Sequence, residues 1–229
     1  MIVAIHQPNY APWLGYFYKM LQSDVFVFLD DAQYSRGSYT NRVRIGRAGN
    51  AVWLTQPIMR EFGGEISGTR FSDDDWSRKH LDTLKGAYQG AAAFRETWPM
   101  VQAIWQQVPR ESLAAANRHI VEALAASMDL RPQFLNASTL PTNGATGDER
   151  LSRIMRAVAP DGGIYLSGEG GSGYQSPDTF SSAGYELRYA GFQHPEYSQG
   201  NAPFVAGLSV LDALFNVGMD ATRRLIGAR

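Results

Sequence analysis

The sequence predicts an α/β fold with a mostly parallel open sheet, flanking helices, a β-hairpin excursion and a helical insertion. Three observations carry that expectation. Short apolar runs at 2–5, 25–29 and 163–166 read as strands covered on both faces. Stretches with apolar residues at helical spacing separate them. Each run breaks at its C-terminal end into a polar loop, which is where open α/β sheets hold their ligands.

The first run stops at His6-Gln7-Pro8-Asn9-Tyr10, where Pro8 and Pro12 keep the loop out of helix and sheet hydrogen bonding. Trp13, Phe17 and Leu21 recur at i, i+4 and i+8, with Leu14 and Tyr18 beside them, as one stripe of a helix that starts near Pro12. The run at 25–29 then ends in Asp30-Asp31, so strand, helix and strand form a right-handed βαβ unit with a parallel pair. Residues 31–41 are polar and turn-rich. Residues 42–45 and 51–55 alternate as strands, and 46–50 fits a hairpin turn between them.

Asp73-Asp74-Asp75 before Trp76 marks a helix N-terminus, and 76–128 reads as helical throughout. Leu81, Leu84 and Tyr88 share a face; Trp98-Pro99 opens a short helix through Val108; Leu113, Ala116, Ile120, Leu124 and Met128 form the cleanest amphipathic stripe. A third core strand follows at 133–135. Thr146-Gly-Asp-Glu149 has the pattern of a capping box. The fourth strand, 163–166, ends in Ser-Gly-Glu-Gly-Gly-Ser-Gly-Tyr174, and 185–189 alternates as an edge strand would. Ser209-Val-Leu-Asp212 caps the last helix. No repeat or linker divides the chain, so 1–229 reads as a single α/β domain with the insertion at about 76–128.

Hydrophobic residues make up 44% of the 229, charged residues 19%, and the formal net charge is −1, so the overall field attracts neither nucleic acid nor an anionic membrane surface. The absence of cysteine removes disulfides, thiolate metal sites and Cys nucleophiles, and fits a reducing compartment. With no run of about 18 apolar residues and no basic leader, the expectation is a cytoplasmic protein without membrane insertion.

His6 is the first catalytic candidate, because an imidazole serves as general base near neutral pH. Gln7, Asn9 and Tyr10 follow it in the loop as substrate-binding candidates. Asp30 is placed to orient His6, to hold a sugar hydroxyl, or to join Asp31 in a divalent-cation site. Adjacent carboxylates on an extended chain point to opposite faces, so both serve one site only if the chain has turned. Asn41, Arg42 and Arg44, with Arg36 upstream, read as an anion-binding group, since Arg forks grip phosphate or carboxylate and strand alternation puts Arg42 and Arg44 on one face. Ser167 and Tyr174 bound a glycine-rich turn that lets backbone N–H groups approach a ligand but lacks the Lys-Ser/Thr ending of a P-loop. His194, with Glu196 and Tyr197 after it, is the second histidine candidate. No thiolate or paired-histidine spacing supports zinc, and no motif identifies a cofactor.

Ile5-His-Gln-Pro-Asn-Tyr10, Pro12-Trp-Leu-Gly-Tyr-Phe17 and Asp24-Val-Phe-Val-Phe-Leu-Asp-Asp31 resemble the opening of the WbqC-like proteins. The resemblance continues in Asn41-Arg42 with Ile45, Trp53-Leu-Thr55 with Pro57, Tyr165-Leu-Ser-Gly168 with Gly173-Tyr174, His194-Pro-Glu-Tyr197 with Gln199, and 208–216 with Gly218. The chain departs from the pattern at Arg36-Gly-Ser-Tyr39 and at Glu169 and Gly171. The resemblance implies a role in bacterial surface-glycan biosynthesis, as a transferase moving an aminoacyl or acyl group to an amino sugar or nucleotide-activated sugar. The expected partner is then a small molecule bearing phosphate or carboxylate. A non-catalytic sugar- or nucleotide-binding protein is the alternative, and a divalent-metal hydrolase using His6, Asp30, Asp31 and His194 is the third reading.

Overall fold

The computed structural model describes residues 1–59, 63–201 and 203–228. Its strands are β1 (Ile2–His6), β2 (Val25–Phe28), β3 (Arg42–Arg47), β4 (Asn50–Thr55), β5 (Gln133–Asn136), β6 (Gly163–Ser167) and β7 (Tyr185–Tyr189). Its helices are α1 (Leu14–Leu21), α2 (Trp76–Tyr88), α3 (Phe94–Gln106), α4 (Leu113–Ser127), α5 (Gly147–Val158), α6 (Pro177–Ser181) and α7 (Val210–Leu225). Among the described residues, no helix is long and apolar enough to cross a membrane.

Five strands form one parallel sheet in the order β5-β2-β1-β6-β7, and β3 and β4 form a separate antiparallel hairpin. Counted by appearance within the sheet, the order is 3-2-1-4-5, so the winding reverses between β1 and β6. The alternation of β1 and β2 explains why they are apolar throughout. Val3, Ile5, Val25 and Val27 pack on one face with Ile154 and Met155 of α5 and Phe180 of α6. Ala4, Phe26 and Phe28 face the other way, into a larger cluster with α1, α4 and α7. β7, with only every second residue withdrawn from solvent, is an edge strand as its alternation predicts.

Three local expectations need correction. The inward stripe of α1 is Leu14, Tyr16, Phe17 and Met20, with Leu21 exposed, because the sheet lies on the side that Phe26 presents rather than under Trp13 and Leu21. The helix expected from Trp98 begins four residues earlier, at Phe94, with Pro99 inside it. Stacking of Phe94 on Trp98 and on Phe215, and the Ala93 N–H bond to the Phe215 carbonyl at 2.9 Å, hold the early turn against the missing proline N–H. Thr146 stands at the start of α5 without a side-chain cap, and Asp148 instead accepts the Ser176 N–H at 2.7 Å. Residues 76–128 are helical as expected, yet they are packed into the larger cluster rather than appended to it.

The start of α7 binds the hairpin to the loop after β1. Ser209 N–H donates to the Arg44 carbonyl and Val210 N–H to the Pro12 carbonyl, both at 2.8 Å, while the Ser209 hydroxyl donates to the Ala11 carbonyl at 2.6 Å. Buried Asn117 of α4 donates to the Pro8 carbonyl at 2.8 Å and the Thr40 carbonyl at 2.6 Å. These ties set the hairpin beside the C-terminal end of β1.

Candidate functional site

The β1–β2 register runs to His6↔Phe28, whereas the β1–β6 register stops at Ala4↔Leu166. The two central strands therefore part at their C-terminal ends, at the point where the winding reverses, and open a cavity of about 410 Å³. His6 at the end of β1, with Gln7 and Asn9 of the loop after it, lines one side; Tyr165 and Ser167 of β6, Gly168 and Gly171 of the turn after it, and Gln175 line the other; Trp13, Tyr39 and the exposed Tyr174 complete the lining. No Asp, Glu, Lys or Arg is among these lining residues.

His6 packs edge-on against Tyr16, with ring centroids 4.7 Å apart, and against Trp13 at 6.2 Å. Its Nδ1 lies 3.1 Å from the Gln7 carbonyl, which can only accept, so Nδ1 carries the proton and Nε2 keeps its lone pair. Burial and the nearby Lys19 charge lower the imidazole pKa from 6.5 to about 3. The ring is neutral at physiological pH.

Lys19 lies beneath it, 2% exposed, and donates to the Ile5 carbonyl at 3.0 Å. In the sheet that carbonyl points toward β6, and the splaying of β6 leaves it free for the ammonium. The ring of Phe26 is 5.7 Å away, and burial lowers the lysine pKa from 10.5 to about 7. Lysine was not singled out in the sequence. Its signal was there: Lys19 falls between Tyr16, Phe17 and Met20, on the margin of the arc the helix buries.

On the opposite wall, Gln175 donates to the Tyr165 hydroxyl at 3.0 Å, and Tyr165 donates to the Ser167 hydroxyl at 3.4 Å. Gly171 fits only because it has no side chain: a Cβ there would lie 2.6 Å from Ser167 Oγ and closer still to Gln175 Oε1. Gly171→Ala is expected to displace Gln175 and cost ~1–3 kcal/mol of stability by overpacking, read as a lower melting temperature together with weaker ligand binding. An unchanged melting curve would mean that the turn relaxes freely.

The WbqC-like protein family matches residues 7–224 of the chain. The chain belongs to that family. A Mycobacterium tuberculosis protein, "Uncharacterized protein Rv1507c", is 29% identical over 223 residues, which covers 96% of this chain and 95% of the relative. No solved structure matches the chain with significance.

The WbqC-like motif residues divide into those at the cavity and those elsewhere. His6, Gln7, Asn9, Ser167 and Tyr174 line the cavity together. Tyr10 does not: its hydroxyl accepts from Trp105 Nε1 at 3.1 Å and donates to His80 Nδ1 at 2.7 Å, with His80 Nε2 donating in turn to the Thr55 carbonyl at 3.0 Å. This buried relay requires a neutral imidazole, and burial lowers the His80 pKa from 6.5 to about 4. The unfolded chain then binds the extra proton first. The stability contributed is present above pH 6.5 and is lost as pH falls through 4, by about 3 kcal/mol at most. Tyr10→Phe should flatten that acid limb and destabilise the protein at pH 7, in a urea titration repeated at several pH values. A limb unaltered by the substitution would detach it from His80.

Asp30 and Asp31 lie in the turn after β2, and their carboxylates go to different partners. Asp30 accepts the Ser138 N–H at 3.0 Å and the Ser138 hydroxyl at 2.6 Å, fastening the loop after β5, and it makes no bond to His6. Asp31 is ion-paired with Arg150 of α5. Neither lines the cavity. Asn41 bridges the Tyr34 hydroxyl at 2.9 Å and the Gln56 carbonyl at 3.0 Å. Arg42 and Arg44 do share the outer face of β3, where the Arg42 guanidinium lies 4.1 Å over the Trp53 ring.

None of His194, Glu196 and Tyr197 lines the cavity. His194 packs against Phe192, Glu196 is exposed, and the Tyr197 hydroxyl donates to Asp212 at 2.9 Å. Asp212, 1% exposed, also accepts from Tyr88 at 2.7 Å, and burial raises its pKa. A larger cavity of about 550 Å³ opens beside it between the hairpin turn and Gln199, Asn201, Pro203 and Val205. It lies away from the sheet's C-terminal crevice, and both Asp212 oxygens already accept from phenols. Among the described residues, no three His, Asp or Glu side chains converge as metal ligands would.

Proposed function

We propose that this WbqC-like protein is a transferase that moves an activated aminoacyl or acyl group onto an amine-bearing small molecule held in the cavity between β1 and β6. The observation that carries the reading is the neutral His6 imidazole, whose Nε2 lone pair faces the cavity while Gln7 fixes the ring. The amine nitrogen attacks the acyl carbonyl, the new C–N bond forms as the leaving group departs with its bonding electrons, and Nε2 takes the proton that the nitrogen sheds. An imidazole of pKa about 3 is too weak to deprotonate a free ammonium. It can take the proton only transiently, as the nitrogen grows more acidic with the forming C–N bond, and it passes that proton on to the leaving group. In this reading the acceptor is an amino sugar of surface-glycan biosynthesis, the chemistry is cytoplasmic, and residues 1–229 act as one unit.

The test is incubation with amine-bearing nucleotide sugars and activated acyl donors, followed by mass spectrometry. A product heavier than the acceptor by the acyl group is expected. Ligands that raise the melting temperature without any turnover would instead favour a binding protein.

A further inference from the structure

We propose that the cavity between β1 and β6 seats an uncharged polyhydroxylated ring, a pyranose, and that the anionic group attached to it lies outside, on the hairpin face at Arg42 and Arg44. This rests on the reading that the cavity is the substrate site.

The cavity lining carries no formal charge beyond a neutral imidazole. Its polar groups are mixed donors and acceptors. Asn9 is 5% exposed, and no hydrogen bond among the described residues claims its side-chain amide. Gln175 is 8% exposed and holds Tyr165 with one end of its amide, while the other end, Oε1, is buried without a partner. His6 Nε2 is a further acceptor. Gln175 Oε1 packs against Gly171 and is closed to a ligand, which leaves Asn9 and His6 Nε2. A hydroxyl both donates and accepts, so a polyol satisfies both, whereas a phosphate only accepts and would leave the acceptors unpaired. Seating a dianion there would also place charge in a wall that offers it no counterion. Trp13 and Tyr39, 5.3 Å apart, give the apolar C–H face of a sugar ring something to pack on.

Tyr39 continues the surface outward. Its ring lies 5.7 Å from Trp53, and the two are 39% and 45% exposed. Over Trp53 stands Arg42, whose Nε is buried without a partner, as is that of Arg44 beside it. The hydrogen bonds these guanidiniums do make go to carbonyls, of Gly37 and Ala206, and no carboxylate pairs with either among the described residues. Charge is thus available next to the cavity mouth and missing inside it. The two halves of the site sort the two halves of a sugar phosphate.

The test is calorimetric titration with inorganic pyrophosphate, and separately with a panel of free hexoses, hexosamines and N-acetylhexosamines, on the wild type, Asn9→Ala, Gln175→Leu and Arg42→Gln. Asn9→Ala should weaken saccharide binding about tenfold, as for one lost hydrogen bond, and Gln175→Leu should weaken it by loosening Tyr165 in the cavity wall; both should leave pyrophosphate unchanged. Arg42→Gln should do the reverse. Gln175→Leu removes a buried bond to Tyr165 and risks misfolding, so Asn9→Ala, which breaks none, decides the matter. Pyrophosphate binding that falls in Asn9→Ala, or a panel in which no saccharide binds, overturns the proposal. If binding divides as expected but no acyl group is transferred, the transferase reading fails and this one stands.

Discussion

Alanine at His6 is expected to lower turnover by ~10²–10⁴-fold, the usual contribution of a positioned general base, while the melting temperature changes little. The imidazole is held by one bond to the Gln7 carbonyl and by ring contacts, and it borders an open cavity, so truncation leaves space that water can enter. The pH profile separates this role from an ordinary catalytic histidine. With its pKa near 3, His6 stays neutral from about pH 4 upward, so the rate should show no inflection at the pH 6–7 typical of imidazole. An inflection near 7 is instead expected from Lys19, as the buried ammonium behind the His6 imidazole loses its proton. Activity that survives His6→Ala would remove the histidine from the mechanism.

Methionine at Lys19 is expected to make the protein more stable and less active. A folded-state pKa of about 7 against 10.5 for an ordinary lysine means that the unfolded chain holds the proton more tightly. The sign follows: stability associated with this group is fully present above pH 10.5 and is lost as pH falls through 7, so at neutral pH and below the buried ammonium costs of order a few kcal/mol. Its compensation is one carbonyl and one aromatic ring, with no carboxylate beside it. Methionine has nearly the same shape without the charge, and substitution of that kind is often stabilising. The measurement is denaturant unfolding between pH 6 and 10: the wild type should gain stability across that range, and the variant should show a flatter, higher curve. The accompanying loss of activity, with the pH 7 inflection gone, would mark Lys19 as a positioning charge kept at the expense of stability. A less stable variant with an unchanged profile would make it an ordinary structural residue.

The sheet was legible because each central strand announces itself locally. Val3 and Ile5 meet α5 while Ala4 meets the opposite cluster, and continuous apolarity over four or five residues is the signature of that double burial. The hairpin was equally plain from its alternation. The cavity's location was legible for the same reason: His6-Gln7 and Ser167-Gly168 follow two such strands, and ligands gather where adjacent strands of opposite winding part.

What the residues do in the cavity was much less visible. Asp30 looked like His6's partner because both end neighbouring strands, but its carboxylate is taken by Ser138, 108 residues away in sequence. Tyr10 looked like a loop tyrosine, yet Trp105 and His80 claim its hydroxyl from helices 70 and 95 residues downstream. His194 and Tyr197 follow a strand as well, yet Asp212 takes the Tyr197 hydroxyl and His194 packs on Phe192, so neither lines the cavity.

By itself, then, the sequence determines the α/β class, the membership in the WbqC-like family and the strand ends that form the crevice, because runs and breaks in apolarity are properties of neighbours along the chain. Only the tertiary structure decides that the cavity is uncharged, that Lys19 lies buried beneath His6, and that Arg42 and Arg44 stand outside on the hairpin. The physical reason is that a polar side chain has no fixed role until its partners are known. A hydrogen bond across a hundred residues turns one candidate into scaffold, and the absence of one among the described residues leaves the Asn9 amide free in the cavity lining.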